Sequence, residues 1–221
     1  MVNSNASVVE TRQDQQAEFV IACLAPEGSG KHDTYEGDGT MLNQLRLDHA
    51  NMARMLHVLQ LKQKTLLLGE RPNFQLMREV VDYILSYMEG FASPLERICV
   101  ERLEAKAPEH LQLMEQMAAD YRELKPRLRQ LSNDIDTILM DNVLPMDRFT
   151  QDLKAYLEAH RAYLRLEREG LFPLIDKHFS PEDMQELRNA LPAGAEQELE
   201  RLQHAYPELY AELCGAEVPS L

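Results

Sequence analysis

The strongest constraint on this chain is a run of apolar residues spaced alternately by three and four, sustained from residue 41 to about 177. That spacing gathers side chains on one face of an α-helix. A single helix of that length would leave its stripe in water, so the run has to fold back on itself. Leu42, Leu45, His49, Met52, Leu56 and Leu59 mark a first helix over 41–68, with Gly69 placed to cap its C-terminus. A second begins after Pro72 and Asn73 and reaches about 105, with Met77, Val81, Ile84, Met88, Leu95 and Cys99 inward. Gly90 and Pro94 predict a kink or break near its middle. A third starts at Pro108, a residue suited to a first turn, and runs to about 140. Its stripe is Leu113 or Met114, then Met117, Tyr121, Leu124, Leu128 and Leu131, and Pro126 should bend it. A fourth covers 147–177, with Phe149, Leu153, Tyr156, His160, Tyr163, Glu167, Leu171 and Leu174 facing in. Four long helices on short links predict an all-α, up-down-up-down four-helix bundle over 41–178. Aromatic residues at 6% and the absence of Trp fit a bundle better than a sandwich or barrel.

The flanks read differently. Residues 1–40 have no sustained period and are expected to form a flexible leader. Within them APEGSGKHD falls short of a phosphate loop, because Ala25 stands where the first Gly is required and His32 where Ser or Thr would meet magnesium. Residues 179–221 predict an acidic helical extension. In SPED, Ser180 caps, Pro181 takes the first turn and Asp183 closes a capping box, and a last helix is expected over 195–213. Residues 181–221 hold nine acidic and two basic residues, net −7, half of the chain's −14. That charge argues against a nucleic-acid partner or an anionic membrane, both of which call for basic patches. It leaves a solvated face as the plain reading, with a protein partner or a second copy of the chain docking on the extension as the functional one. Cys23, Cys99 and Cys214 are too scattered for a disulfide framework or a CxxC site. MVNSNASVVETRQDQQ lacks a signal-peptide pattern and FVIACLA is too short to span a membrane, so a cytoplasmic location is expected.

Each long helix carries polar residues where an apolar one belongs: His49, Glu96, Tyr121, and then His160, Tyr163 and Glu167. A buried polar group without a partner is costly, so several together imply either a built site or a mutually bonded network. Helix bundles build dinuclear metal sites from inward His and carboxylate groups on facing helices. Catalysis by a nucleophile finds no support, since there is no GxSxG, no SxxK and no Cys beside a His on a shared face.

The order LRLDHANM, DYILSYMEGFASPLERICVERL, MAADYREL, YLEAHRAYLRLEREGLFPLI and SPED resembles the hemerythrin-like, HHE cation-binding domain over about residues 41–190. The resemblance implies the four-helix fold, iron as the metal, and a ligand set falling on His49, Ala92, Glu96, Tyr121, Tyr163 and Glu167. Three of the family's ligating histidines are replaced in this alignment, by Ala92, Tyr121 and Tyr163, while His49, Glu96 and Glu167 remain. Arg97 and Arg168 add positive charge beside the surviving glutamates unless they lie off the face, one residue along each helix. Without metal, the tyrosine hydroxyls are expected to donate to Glu96 and Glu167. The expectation is a domain with a largely lost di-iron site and no cofactor, a non-catalytic binding or regulatory module. Its rivals are a non-haem iron oxygen, nitric oxide or redox sensor with a reduced, tyrosinate-assisted site, and a structural protein-interaction module. His57 beside His160 is a further arrangement that a displaced site could use, against the plainer reading of a half-exposed helix His. His178 and His204 read as surface residues, and His110, eleven residues or roughly 16 Å from the level of Tyr121, is no obvious substitute ligand.

Overall fold

The computed structural model describes residues 39–89 and 93–190, with isolated positions beyond. Residues 34–192 make up one compact unit. The expectations for the leader, Ala92, Cys23, Cys214, His204 and the helix over 195–213 lie outside the described residues, as does the side chain of Glu96.

Helix α1 spans Gly39–Leu67. It ends where Gly69 takes φ of +76°, the left-handed cap conformation that a side chain would strain. Helix α2, Phe74–Tyr87, is started by Asn73, whose side chain accepts from the Leu76 N–H at 3.0 Å. The predicted long second helix is described as two segments. After Tyr87 the backbone widens into a π turn at Met88 and Glu89, and helix α3 begins anew as Ser93–Lys106. A 3-10 turn, Pro108–His110, leads into α4, Leu111–Leu139, which carries Pro126 inside its length. Helix α5, Met146–Leu166, passes through a π turn at Glu167–Leu171 into α6, Phe172–His178. Pro173 explains that turn. Its ring would press on the carbonyl four residues back, and a wider turn just before it makes room. Helix α7, Pro181–Ala190, follows.

Among the described residues the structure is helical throughout, with no strand. Helices α1, α2, α4 and α5 form a closed ring, each packing on its two neighbours, and α3 lies against α4, α6 and α7. The predicted stripes are the core: Leu45, Met52, Leu56 and Leu59 from α1, Met77, Val81 and Ile84 from α2, Met117, Leu124, Leu128 and Leu131 from α4, and Phe149, Leu153 and Tyr156 from α5 are all buried. Each large side chain contributes about 2 kcal/mol of apolar burial. In the third stripe Met114 is the buried residue and Leu113 is half-buried. Leu113 meets the π turn instead, where a Cβ on Gly170 would stand 2.9 Å from its Cδ2.

The capping box at 180–183 forms as expected. The Ser180 N–H donates to Asp183 at 2.7 Å and the Asp183 N–H to the Ser180 hydroxyl at 3.3 Å. Asp183 also accepts from Lys106 and lies 3.4 Å from Arg102, which fastens α7 to α3. Burial pushes the Asp183 carboxyl up, but Lys106 and the Ser180 donors outweigh it and hold it below its ordinary range. Cys99 is buried. Among the described residues no helix is long and apolar enough to cross a membrane.

Candidate functional site

Several polar residues of the core stripes meet inside the bundle. His49 on α1 places Nδ1 3.3 Å from the Glu167 Oε2 at the start of the π turn. These two side chains are 14% and 12% exposed, so the pair is partly screened from water. Phe172, one turn beyond Glu167, sets its ring edgewise to the His49 ring at 5.5 Å. The wall of this pair is therefore apolar on that side, which strengthens whatever electrostatic attraction the pair has.

Tyr121 and Tyr163, two of the residues expected in the site, are both buried, with ring centroids 5.9 Å apart and planes at 48°. That tilted packing is an ordinary aromatic contact. The Tyr121 hydroxyl donates to the backbone carbonyl of Met88, where α2 widens into its π turn. This corrects the expectation that Tyr121 donates to a glutamate. The carbonyl of a helix end needs a donor, and the break after Tyr87 brings this one within reach.

His160 also has its own partner. Its Nδ1 is 2.8 Å from the Tyr156 hydroxyl one turn earlier, with the Tyr163 ring 6.4 Å to the other side. Burial, and secondarily the nearby His49, lower the His160 pKa to about 3. The imidazole is thus neutral at any ordinary pH, and its Nδ1 and the Tyr156 hydroxyl share one hydrogen bond whose direction follows the tautomer. Burial, with a smaller effect of Tyr121, pushes the Tyr156 phenol well above its usual value. His57 is half-buried on α1.

One residue of the set was missed by sequence reading. Tyr87, the last residue of α2, feels the charges of Asp48 and Glu167 and the neighbouring hydroxyls of Tyr83 and Tyr121. Burial first, and then those carboxylates, raise its phenol well above the ordinary range, so it stays a neutral hydroxyl. The available signal was the spacing of Tyr83 and Tyr87, one turn apart and beside the apolar stripe of α2.

Arg97 and Arg168 do lie off the inner face. Both are exposed, paired with Glu101 at 3.3 Å and Glu169 at 2.7 Å. No positive charge from them is aimed at Glu167. His49 and Glu167 therefore meet at 3.3 Å and Tyr121 and Tyr163 meet through their rings, while the Glu96 side chain lies outside the described residues.

A family model, the hemerythrin HHE cation binding domain, matches residues 40–175. The chain belongs to the hemerythrin family. The match runs from the start of α1 into α6 and so takes in the whole four-helix ring. No curated protein and no solved structure matches the chain. The family is a cation-binding one, which makes the state of the His49–Glu167 neighbourhood the central chemical matter.

Counting His, Cys, Asp and Glu among the described residues, one group of three brings its ligand atoms together, and it is not in the bundle core. It consists of Glu109, His110 and His178. His178 was expected to be a surface residue, and His110 was set aside only as a substitute ligand for the core site.

Proposed function

We propose that this hemerythrin-family domain is a non-catalytic binding or regulatory module whose core di-iron site has largely been lost. The observation that carries this reading is the direction of the Tyr121 hydroxyl, which donates to the Met88 carbonyl. A phenolate at Tyr121 would point its negative oxygen at the negative end of that carbonyl. The same holds for the other donors. His49 is turned to Glu167, the His160 Nδ1 is taken by Tyr156, and Tyr87 stays protonated. Two irons bound within a bundle take about six protein donors, from carboxylates and neutral imidazoles on four helices. This donor set does not fit that need. His49, Tyr121 and His160 each have a partner within the protein, which is what buried polar groups require.

The test is the metal content of the full chain from iron-supplemented cells, measured in the His178→Ala background so that any retained iron reports on the core. Less than a tenth of an iron per chain, with melting unmoved by chelator, is the expected result. About two irons per chain, or a visible tyrosinate-to-iron band, would instead favour the iron-dependent sensor. Ancestry has its own check. The triple variant Ala92→His, Tyr121→His, Tyr163→His should gain iron binding, and a well-folded triple variant that binds none would sink the alignment on which the lost-site reading stands.

A further inference from the structure

The 3-10 turn between α3 and α4 and the end of α6 bring three metal-type ligands together. Glu109 and His110 come from the turn Pro108–His110, and His178 is the last residue of α6. One ligand atom from each lies within 4.8 Å of the others. The two imidazole rings are 6.3 Å apart and inclined at 62°. The Glu109 Oε1 stands 3.9 Å from the His110 Nε2, too far for a hydrogen bond, so the two side chains do not consume each other's lone pairs. The Nε2 of His178 is buried and has no hydrogen-bond partner. A ring nitrogen taken out of water without a partner costs free energy, and a metal ion is a group that would repay it.

We infer that Glu109, His110 and His178 form a second cation site, one that takes a zinc-type divalent ion. Two neutral imidazoles and one carboxylate, with a fourth position left to water, make the usual donor set for such an ion. A tetrahedral ion with bonds of about 2.0–2.1 Å holds its ligand atoms about 3.3 Å apart. The present spread of up to 4.8 Å closes by side-chain rotation of about an ångström or so. Glu109 is 61% exposed and has the freedom to swing in. The positive N-terminal end of α4 and the negative C-terminal end of α6 both reach this spot, so their dipoles offset each other and Glu109 supplies the net negative charge. Bound metal would tie the α3–α4 connection to the end of the α5–α6 helix, two segments 68 residues apart at His110 and His178. The site shares no residue with the core set, and its existence is independent of whether the core binds iron.

Cobalt(II) is the probe, because its visible bands report tetrahedral nitrogen and oxygen ligation and zinc displaces it. Metal-free full-length protein is titrated with cobalt(II) and then with zinc(II). One equivalent of tetrahedral cobalt, displaced by zinc and accompanied by a rise in Tm, is expected. His178→Ala and Glu109→Gln should each weaken binding tenfold or more, and His49→Ala should leave it unchanged. Glu109 is exposed, so Glu109→Gln keeps the fold and decides the matter even where His178→Ala does not fold. The inference is overturned by a chain that gives no cobalt spectrum, by a Glu109→Gln variant that binds as wild type, or by binding that is lost in His49→Ala alone.

Discussion

Acid should destabilise this bundle through His160, and the size of the effect follows from its burial. The residue is 3% exposed, and its pKa falls from an ordinary 6.5 to about 3 in the folded chain. A depressed pKa means that the unfolded chain binds a proton at a pH where the folded chain does not. Stability is therefore fully present above about pH 6.5, declines as pH falls towards 3, and declines no further from this source below that. Linkage at one pH unit per 1.36 kcal/mol gives a loss of about 1 kcal/mol at pH 6 and about 2 kcal/mol at pH 5. The perturbation is the pair Tyr156→Phe with His160→Leu, which removes the titrating ring without orphaning the Tyr156 hydroxyl, its partner at 2.8 Å. Urea unfolding followed by helical circular dichroism at pH 7, 6 and 5 gives the stability of each protein. The wild type should lose about 2 kcal/mol more than the variant between pH 7 and 5, because the effects of distant groups common to both cancel in the difference. Parallel pH curves would refute the reasoning and show that His160 finds water or a counter-charge in the folded chain.

Two further substitutions probe single contacts. Tyr121→Phe should cost about 1–2 kcal/mol in unfolding free energy, since it leaves the buried Met88 carbonyl without its side-chain donor, and a change within about 0.3 kcal/mol would argue that the bond is not formed. Asp183→Ala should cost about 2 kcal/mol by removing both the capping bond of α7 and the contacts to Lys106 and Arg102. Asp183→Asn, which keeps the cap, should cost less than half of that and should flatten the dependence on salt; equal losses in the two variants would show that charge, not capping, holds α7.

Much of the bundle is written in local pattern. The stripe positions Leu56, Leu59, Ile84, Leu128 and Leu153 are buried as their spacing requires, because a helix of fixed pitch converts residue number into direction. The break between α2 and α3 was legible in Gly90 and Pro94, and the capping box in SPED, since both depend on neighbours in sequence. The polar set was legible as a departure from the stripe, whereas the meeting of His49 with Glu167 appeared only in the packed structure. Hydroxyl partners were not legible in the same way. Tyr121 was placed on the right face, yet its donor goes to a carbonyl that is available only because α2 widens at Met88. Arg97 and Arg168 differ from their glutamate neighbours by one residue, a turn of about 100°, and whether that points a guanidinium at the site or at water depends on how each helix is rolled.

The amino-acid sequence by itself determined that this chain is an all-α hemerythrin-family bundle and which residues face its axis, because periodicity, caps and breakers act over a turn or two of helix. Tertiary structure alone decided what those residues do with their polar atoms, and it alone joined Glu109, His110 and His178. Hydrogen bonds and metal ligation act over about 3 Å. The atoms they join are set by the roll, height and end-to-end fit of helices far apart in the chain, and no local spacing rule records those quantities.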